Sequence, residues 1–413
     1  MNWRTWDLNL RTRLIGDTLF NLLFWMYFPF MTLYFSQTFG KNAAGLLMSV
    51  PPLIGIAGSL LGGRMSDRLG RRPAMLLGAA LQAVMFALFA ASLCDWCDYA
   101  AFIGISLGGS IYAPAGTAMV ADLTPEKERR RVFAAFVTAM NIGAVFGPAL
   151  GSAFFFAHRG ELLWACTFVT AAYAVAIFFI VRETLPQAAR QRERGTGEPR
   201  AEAALRGYIA ILRDRAFALY IAAGIFVTIA FMQLDLYLAV YVKEYVPAQT
   251  LLAGKGWTFQ LDGIEVFGWM MGLNGLLYVL GVMPITKRIG RWSDRNVLML
   301  SALLFGIGMF LIGLTSNAWL LFGFMAVATI GEIMRSPVLQ SFVSKYAPEE
   351  ARGRYMGASN LQVSIGRFLA PATVVLSAWM SPVGVFGIIL LCALIGILLY
   401  AILFRRLAAD ARG

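Results

Sequence analysis

The chain has 413 residues, 59% of them hydrophobic and only 14% charged, and its formal net charge is +12. Soluble globular proteins carry about 25% charged residues, so this balance argues against a water-soluble enzyme or nucleic-acid binder and makes lipid the solvent for most of the chain. With one histidine, His158, no histidine metal site or histidine-centred triad can be built.

Apolar runs recur at about the 20-residue length that crosses ~30 Å of hydrocarbon as a helix. In chain order they predict spans at 14–36, 42–63, 73–93, 99–121, 132–156 and 161–181, then 216–240, 264–286, 296–314, 318–341, 355–379 and 382–404. The first run is too long for a cleavable leader, and no small-residue cleavage pattern follows it, so it reads as a retained span. Between the sixth and seventh runs lies one long polar stretch, 182–215. Its Pro, Gly and alternating charges read as a linker with an amphipathic helical segment near 201–213. The expected architecture is an all-α membrane protein of twelve transmembrane helices in two pseudo-symmetric bundles. One six-helix bundle spans 1–181, the linker spans 182–215, and the second six-helix bundle spans 216–413.

Loop charge gives an orientation. Of the 35 lysines and arginines, 29 fall in the N-terminus, the loops near 64–72, 122–131, 182–215, 287–295 and 345–354, and the C-terminus. The alternate loops hold only Lys41, Arg159, Lys243 and Lys255. The positive-inside rule then places both termini and the linker in the cytoplasm. Cys94 and Cys97, in "CDWC", are too few for a closed zinc site, which takes four ligands. They read as plain loop thiols or as a disulfide at the outer face, while Cys166 and Cys392 read as small packing residues.

The two halves repeat. At one offset of 223 residues, Pro114 matches Pro337, Pro125 matches Pro348, Arg129 and Arg131 match Arg352 and Arg354, Gly143 matches Gly366, and Pro148 matches Pro371. "RMSDR" at 64–68 also matches "RWSDR" at 291–295. Parallel repeats with a site near the midplane between them are a recurring plan for secondary transporters.

"GGRMSDRLGRRP", 62–73, resembles the loop 2–3 signature of the major facilitator superfamily, with Gly63, Asp67, Arg68, Gly70, Arg71 and Arg72 in its places. "GAVFGPALGS", 143–152, is similar to the fifth-helix signature of that family's proton-coupled exporters, through Gly143, Gly147, Pro148 and Gly151. Within the family, "FMQLDLYL" (231–238), "GIEVFGW" (263–269) and "GEIMRSP" (331–337) look most like multidrug exporters related to LmrP. The resemblance implies that the first motif gates the cytoplasmic ends and that the second belongs to an exporter. Physically, Gly63 would let helices approach, Gly70 would permit a tight turn, and Asp67 would accept bonds from nearby arginines. Gly143, Gly147 and Gly151 would form a smooth ridge, bent at Pro148. The alternative for the arginines is a purely topological role. Two departures stand out: the fourth span carries no arginine, and no acid lies between Glu128 and Glu161.

Charges inside spans carry the functional reading, because a charged group at the bilayer centre costs roughly 2.5–3.5 kcal/mol on insertion scales. Asp235 (helix seven), Glu332 (helix ten) and Glu265 (start of helix eight) are the candidate proton or substrate carboxylates. Arg335, three residues past Glu332, either tunes it or neutralises it as a structural ion pair. The repeat counterparts of Glu332 and Arg335 are Gly109 and Tyr112, so the fold itself does not demand charge there. Asp17, four residues after Arg13, and Arg367 are secondary candidates. Phe24, Trp25, Tyr27, Met232, Gln233, Tyr237 and Asn274 are candidate cavity residues, since aromatic faces attract organic cations.

These features predict a proton-coupled antiporter in the bacterial cytoplasmic (inner) membrane. It would export lipophilic, cationic compounds by alternating access, driven by the proton gradient without a cofactor. Expected partners are small amphipathic or cationic molecules, protons and membrane lipids, with no nucleic acid, and the expected state is a monomer. A lipid or glycolipid translocator of the same fold and a non-transporting receptor are the alternatives. An enzyme is not expected, because no nucleophile–base pair or metal cluster is apparent.

Overall fold

The computed structural model describes residues 6–185, 214–348 and 352–410. The amphipathic segment expected near 201–213 lies outside them. Each expected span is helical, with ends within six residues of those of the apolar run. Caps written in the sequence set several of the starts. Asp7, Ser293 and Asn317 each accept a backbone N–H from the first turn that follows, satisfying donors that a helix start leaves open. Asp214 does the same for Ala216 and Phe217, and its other oxygen accepts the hydroxyls of Tyr346 and Tyr355.

The described chain groups into two compact units, Met1–Phe28 with Val50–Glu198, and Pro29–Ser49 with Pro199–Gly413. In the first unit lie α1 (Leu8–Tyr27), α4 (Val50–Arg68), α5 (Arg71–Ala91), α6 (Asp95–Leu123), α7 (Glu126–Phe154) and α8 (Arg159–Phe179). Met75, Ala79, Ala115, Met119 and Ile177 form the heart of a buried cluster joining α5, α6 and α8. Trp6, Leu10, Val132 and Phe136 make a second cluster between α1 and α7.

The second unit holds α2 (Met31–Phe39), α3 (Lys41–Met48), α9 (Arg215–Phe231), α10 (Tyr237–Tyr245), α11 (Gly263–Ile289), α12 (Asp294–Ile312), α13 (Ala318–Tyr346), α14 (Arg352–Leu369), α15 (Ala372–Leu376) and α16 (Pro382–Asp410). The first span is therefore divided at its break. Beyond Phe28 its chain packs with helices of the second half. A Cβ on Gly45 would sit 2.4 Å from the Val375 side chain and 2.9 Å from the Pro371 carbonyl, so α3 approaches α15 as closely as backbone allows. Lys41 and Glu244 close this region with a 2.7 Å ion pair.

Three findings refine the sequence reading. First, the repeat is structural: α6 and α13 both have 29 residues, with Pro114 and Pro337 at the same position inside them. Second, the first span of each repeat is broken by a short 3₁₀ turn, at Phe28–Phe30 and at Met232–Leu234. Third, the all-helical expectation is amended by an antiparallel hairpin, β1 (Gln249–Gly254) with β2 (Trp257–Leu261), between the seventh and eighth spans. Its turn uses Gly256 at φ +86, a conformation open to glycine. Among the described residues, ten helical rods are long and apolar enough to cross a bilayer.

Candidate functional site

Asp235 sits where helix seven breaks. Its N–H donates to the Met232 carbonyl at 3.2 Å, ending the 3₁₀ turn, and α10 begins two residues later. A broken helix frees backbone groups at membrane depth, which proteins tolerate where they line a binding site. One carboxylate oxygen of Asp235, Oδ1, is buried without a hydrogen-bond partner among the described residues. The charges acting on this carboxylate are those of Glu332 and Arg367, from α13 and α14. The Thr32 hydroxyl approaches the Asp235 carbonyl at 3.5 Å.

Glu332 is half-buried on α13. Asn274 of α11 donates to its Oε2 at 2.8 Å and also to the Thr329 hydroxyl at 3.0 Å. Thr329 is one turn before Glu332, so a single amide holds one face of α13 against α11. The ion-pair alternative for Arg335 is corrected by its direction. Arg335 is buried and donates to the Gly224 carbonyl at 3.4 Å and the Thr228 hydroxyl at 3.3 Å, both on α9. Its guanidinium carbon lies 5.0 Å from the Phe231 ring centroid. Arg335 thus clamps α13 to α9 and its charge still acts on Glu332, whose hydrogen-bond donor is Asn274. The arrangement brings two carboxylates and a hydroxyl, with an amide that presents its N–H groups to one carboxylate and to the hydroxyl, onto helices seven, eight and ten of one unit.

Several candidate residues leave the site. Glu265 is corrected to a helix cap: Asp262 accepts the Glu265 N–H and Glu265 accepts the Asp262 N–H, both at 2.8 Å. Gln233 is fully buried and spent on packing, donating to the Ile229 and Ala370 carbonyls and accepting from Thr373. Tyr237 is buried between Tyr241 and Phe386, and Tyr27 against Phe86 and Phe24. All three are core, because a break in the apolar pattern does not reveal which side a residue faces. Phe24, Trp25 and Met232 are half-buried, and Phe24 stacks on Phe28 at 4.4 Å.

The loop 2–3 motif is fully engaged. Arg71 bonds Asp67 at 2.6 Å, Asp122 at 3.2 Å and the Ser66 hydroxyl at 2.9 Å. Gly70 lies at φ +121. The start of α5 is capped from far along the chain: the Glu183 carboxylate accepts the N–H groups of Arg71 at 2.9 Å and Arg72 at 3.2 Å. The Arg72 guanidinium donates to the Phe178 carbonyl, and Arg68 is exposed. Gly63 is corrected: a Cβ there would meet nothing within 4 Å. The close approach belongs to Gly62, whose Cβ would lie 2.5 Å from the Ile111 carbonyl of α6. In the helix-five motif, Gly143 and Gly147 do seat α7 on α1, against Asn21 and Leu22 and against Trp25. Pro148 lies inside α7, and Gly151 is buried near its end.

The family model described as Major Facilitator Superfamily matches residues 14–254 and 246–413. The chain belongs to the Major Facilitator Superfamily. It is a multi-pass membrane transporter and not an enzyme. It is 37% identical over 388 residues, 92% of each chain, to a protein of Planococcus maritimus named as a Na(+), Li(+), K(+)/H(+) antiporter. It is 28% identical over 363 residues to the multidrug resistance protein MdtH of Photorhabdus laumondii, covering 86% of this chain and 82% of that one. Among solved structures, a POT family transporter in complex with 5-aminolevulinic acid superposes with a TM-score of 0.76 at 17% identity, covering 98% of both chains. That likeness speaks for the Major Facilitator fold.

The sequence reading missed three parts of this superfamily member. Thr329 looked like one more small helix residue, although its spacing of three from Glu332 places it on the same face. Glu183 lies beyond the end of α8 and Asp122 in the last turn of α6, where an acid close to a run of arginines carries no signal of its own. Asp17, treated as secondary, joins a buried chain: Arg13 lies 3.1 Å from it, the Tyr112 hydroxyl donates to it at 2.8 Å, and Tyr112 and Tyr173 are 2.6 Å apart. Cys94 and Cys97 are joined as a disulfide.

Proposed function

We propose that this transporter is a proton-coupled antiporter that exports cations, with Asp235 and Glu332 as the carboxylates shared by proton and cation. The observation that carries this is the Asp235 Oδ1, buried, unpartnered and within the field of Glu332. An ionised carboxylate with no donor nearby is unstable in a low dielectric. It is relieved either by a proton or by a bound cation, and the two are mutually exclusive. Asn274 steadies Glu332 in its charged form through a charge-assisted bond, and Arg367 limits the net negative charge. Exchange follows if access alternates between the two sides while the pair holds one or the other.

The substrate reading that best fits the donors is a small alkali cation. The carboxylate oxygens of the pair and the Thr329 hydroxyl suit hard ions, and two of the aromatic candidates, Tyr27 and Tyr237, are packed in cores. The relative named as a Na(+), Li(+), K(+)/H(+) antiporter supports the same class. A second reading, export of lipophilic cationic drugs, is favoured by the MdtH relatives and by the half-buried Phe24, Trp25 and Met232. We also propose the bacterial inner membrane with both termini cytoplasmic, on the loop charge, and a division into bundles 1–181 and 216–413 joined by a linker. The loop 2–3 motif acts in this picture as a cytoplasmic latch.

Everted vesicles carrying an imposed pH gradient test the proposal. Added Na(+), Li(+) or K(+) should dissipate the gradient with the native protein and not with Asp235→Asn or Glu332→Gln at equal membrane abundance. A lipophilic cation in place of the salts separates the two substrate readings. Undiminished exchange by both variants would remove the carboxylates from the mechanism.

A further inference from the structure

Away from the carboxylates, the second unit carries an open crevice of about 800 Å³ between α12 and α16. Its mouth is formed by Arg291, Trp292, Ser293 and Arg295, at the start of α12. Beyond the mouth it is lined by Met299, Leu300 and Leu303 of α12 and by Leu394 and Ile397 of α16. From Arg295 to Leu303 a helix rises about 12 Å, most of the depth of one hydrocarbon leaflet, ~15 Å. The crevice is thus cationic at one end and apolar along the rest, and its cationic end lies in a basic loop.

The arginines at the mouth are free to meet a ligand. Both are exposed, and neither has an ion-pair or hydrogen-bond partner among the described residues. The acid beside them, Asp294, is already taken by Lys345 at 3.1 Å, so it does not compete for their charge. Trp292 is exposed next to them, the placement of an aromatic that sits at headgroup level. None of these residues takes part in the exchange site.

We propose that this crevice holds an anionic glycerophospholipid of the cytoplasmic leaflet. Its phosphodiester is bracketed by Arg291 and Arg295, its headgroup lies beside Trp292, and one acyl chain lies along Leu300, Leu303 and Leu394. Charge complementarity fixes the sign of the headgroup, and the apolar length distinguishes a lipid from a free anion. A lipid seated there bridges α12 and α16.

Native mass spectrometry of the full-length detergent-purified protein tests this, with phosphatidylglycerol, phosphatidylcholine and glycerol 3-phosphate as probes. The native protein should retain phosphatidylglycerol, and neither of the other two should bind or displace it. At about 1 kcal/mol per basic residue near an anionic headgroup, Arg291→Gln with Arg295→Gln should weaken phosphatidylglycerol binding roughly 30-fold. Leu303→Trp, which keeps the arginines and fills the crevice, should weaken it as well. The pair Lys287→Gln with Arg288→Gln removes equal charge outside the crevice and should leave binding unchanged. Equal loss in that control, or unchanged binding in both crevice variants, overturns the proposal. So does displacement by glycerol 3-phosphate, which would mean that the mouth is an anion site without a lipid. A thermal unfolding curve for each variant confirms that the compared proteins are folded.

Discussion

Removing the Glu183 carboxylate tests whether a residue 112 positions from Arg71 really caps α5. The α5 start has no side-chain cap of its own, because Gly70 occupies the cap position. Glu183 instead takes the Arg71 and Arg72 N–H groups while also accepting those of Thr184 and Leu185, each at 2.9 Å. Losing a helix cap costs about 0.5–2 kcal/mol, and losing an anion at a helix N-terminus costs about 0.3–1 kcal/mol when exposed. Glu183 is exposed, so solvent recovers part of both. Glu183→Ala should therefore destabilise the first unit by about 1–2 kcal/mol, and Glu183→Gln, which keeps an acceptor oxygen, by about half that. In a unit of this size the alanine change lowers the unfolding midpoint by roughly 2–8 °C. Tryptophan fluorescence during heating in mild detergent reads it directly. Because the same turn positions Arg71 against Asp67 and Asp122, exchange in vesicles should fall several-fold as well. An alanine variant that unfolds at the native temperature would show that water caps this helix, and the reasoning would fail.

Three further expectations follow from the packing. Gly62→Val should prevent stable insertion, since its Cβ would meet Ile111 backbone at 2.5 Å, whereas Gly63→Ala should be neutral or stabilising by up to ~1 kcal/mol through helix propensity; yield after membrane extraction separates them. Arg335→Met should cost about 2–4 kcal/mol, because two bonds to α9 and a ring contact disappear; thermal unfolding reads it, and equal stability would mean that α13 and α9 are held by apolar packing alone. Asn274→Ala should raise the half-saturating cation concentration in the vesicle assay roughly tenfold, as a charge-assisted bond to Glu332 is lost; an unchanged value would place Asn274 outside the binding step.

Much of this protein is legible from its sequence because the bilayer is a demanding solvent. Backbone polar groups must be satisfied within each span, so apolar length alone located the twelve rods, and the charge of the loops gave an orientation. The 223-residue offset was equally local information, and it reappears as two 29-residue helices with matched prolines. Turn chemistry at Gly70 and the small-residue seat of α7 were readable because they depend on residue type more than on partners. Asp235 and Glu332 stood out by the cost of placing charge in lipid.

Tertiary structure decided what those charged groups touch. Arg335 is one turn from Glu332, and sequence spacing makes a pair plausible; helix rotation sends its guanidinium to Gly224 and Thr228 instead. Glu265, Gln233, Tyr27 and Tyr237 are spent on a helix cap and on core packing, an outcome set by neighbouring helices and absent from composition. Gly62 and Gly63 are adjacent and identical, yet one is pressed against α6 and the other faces open space. Sequence fixes residue type and period, but hydrogen-bond partners and close approaches depend on the rotation and separation of whole helices, which only packing sets.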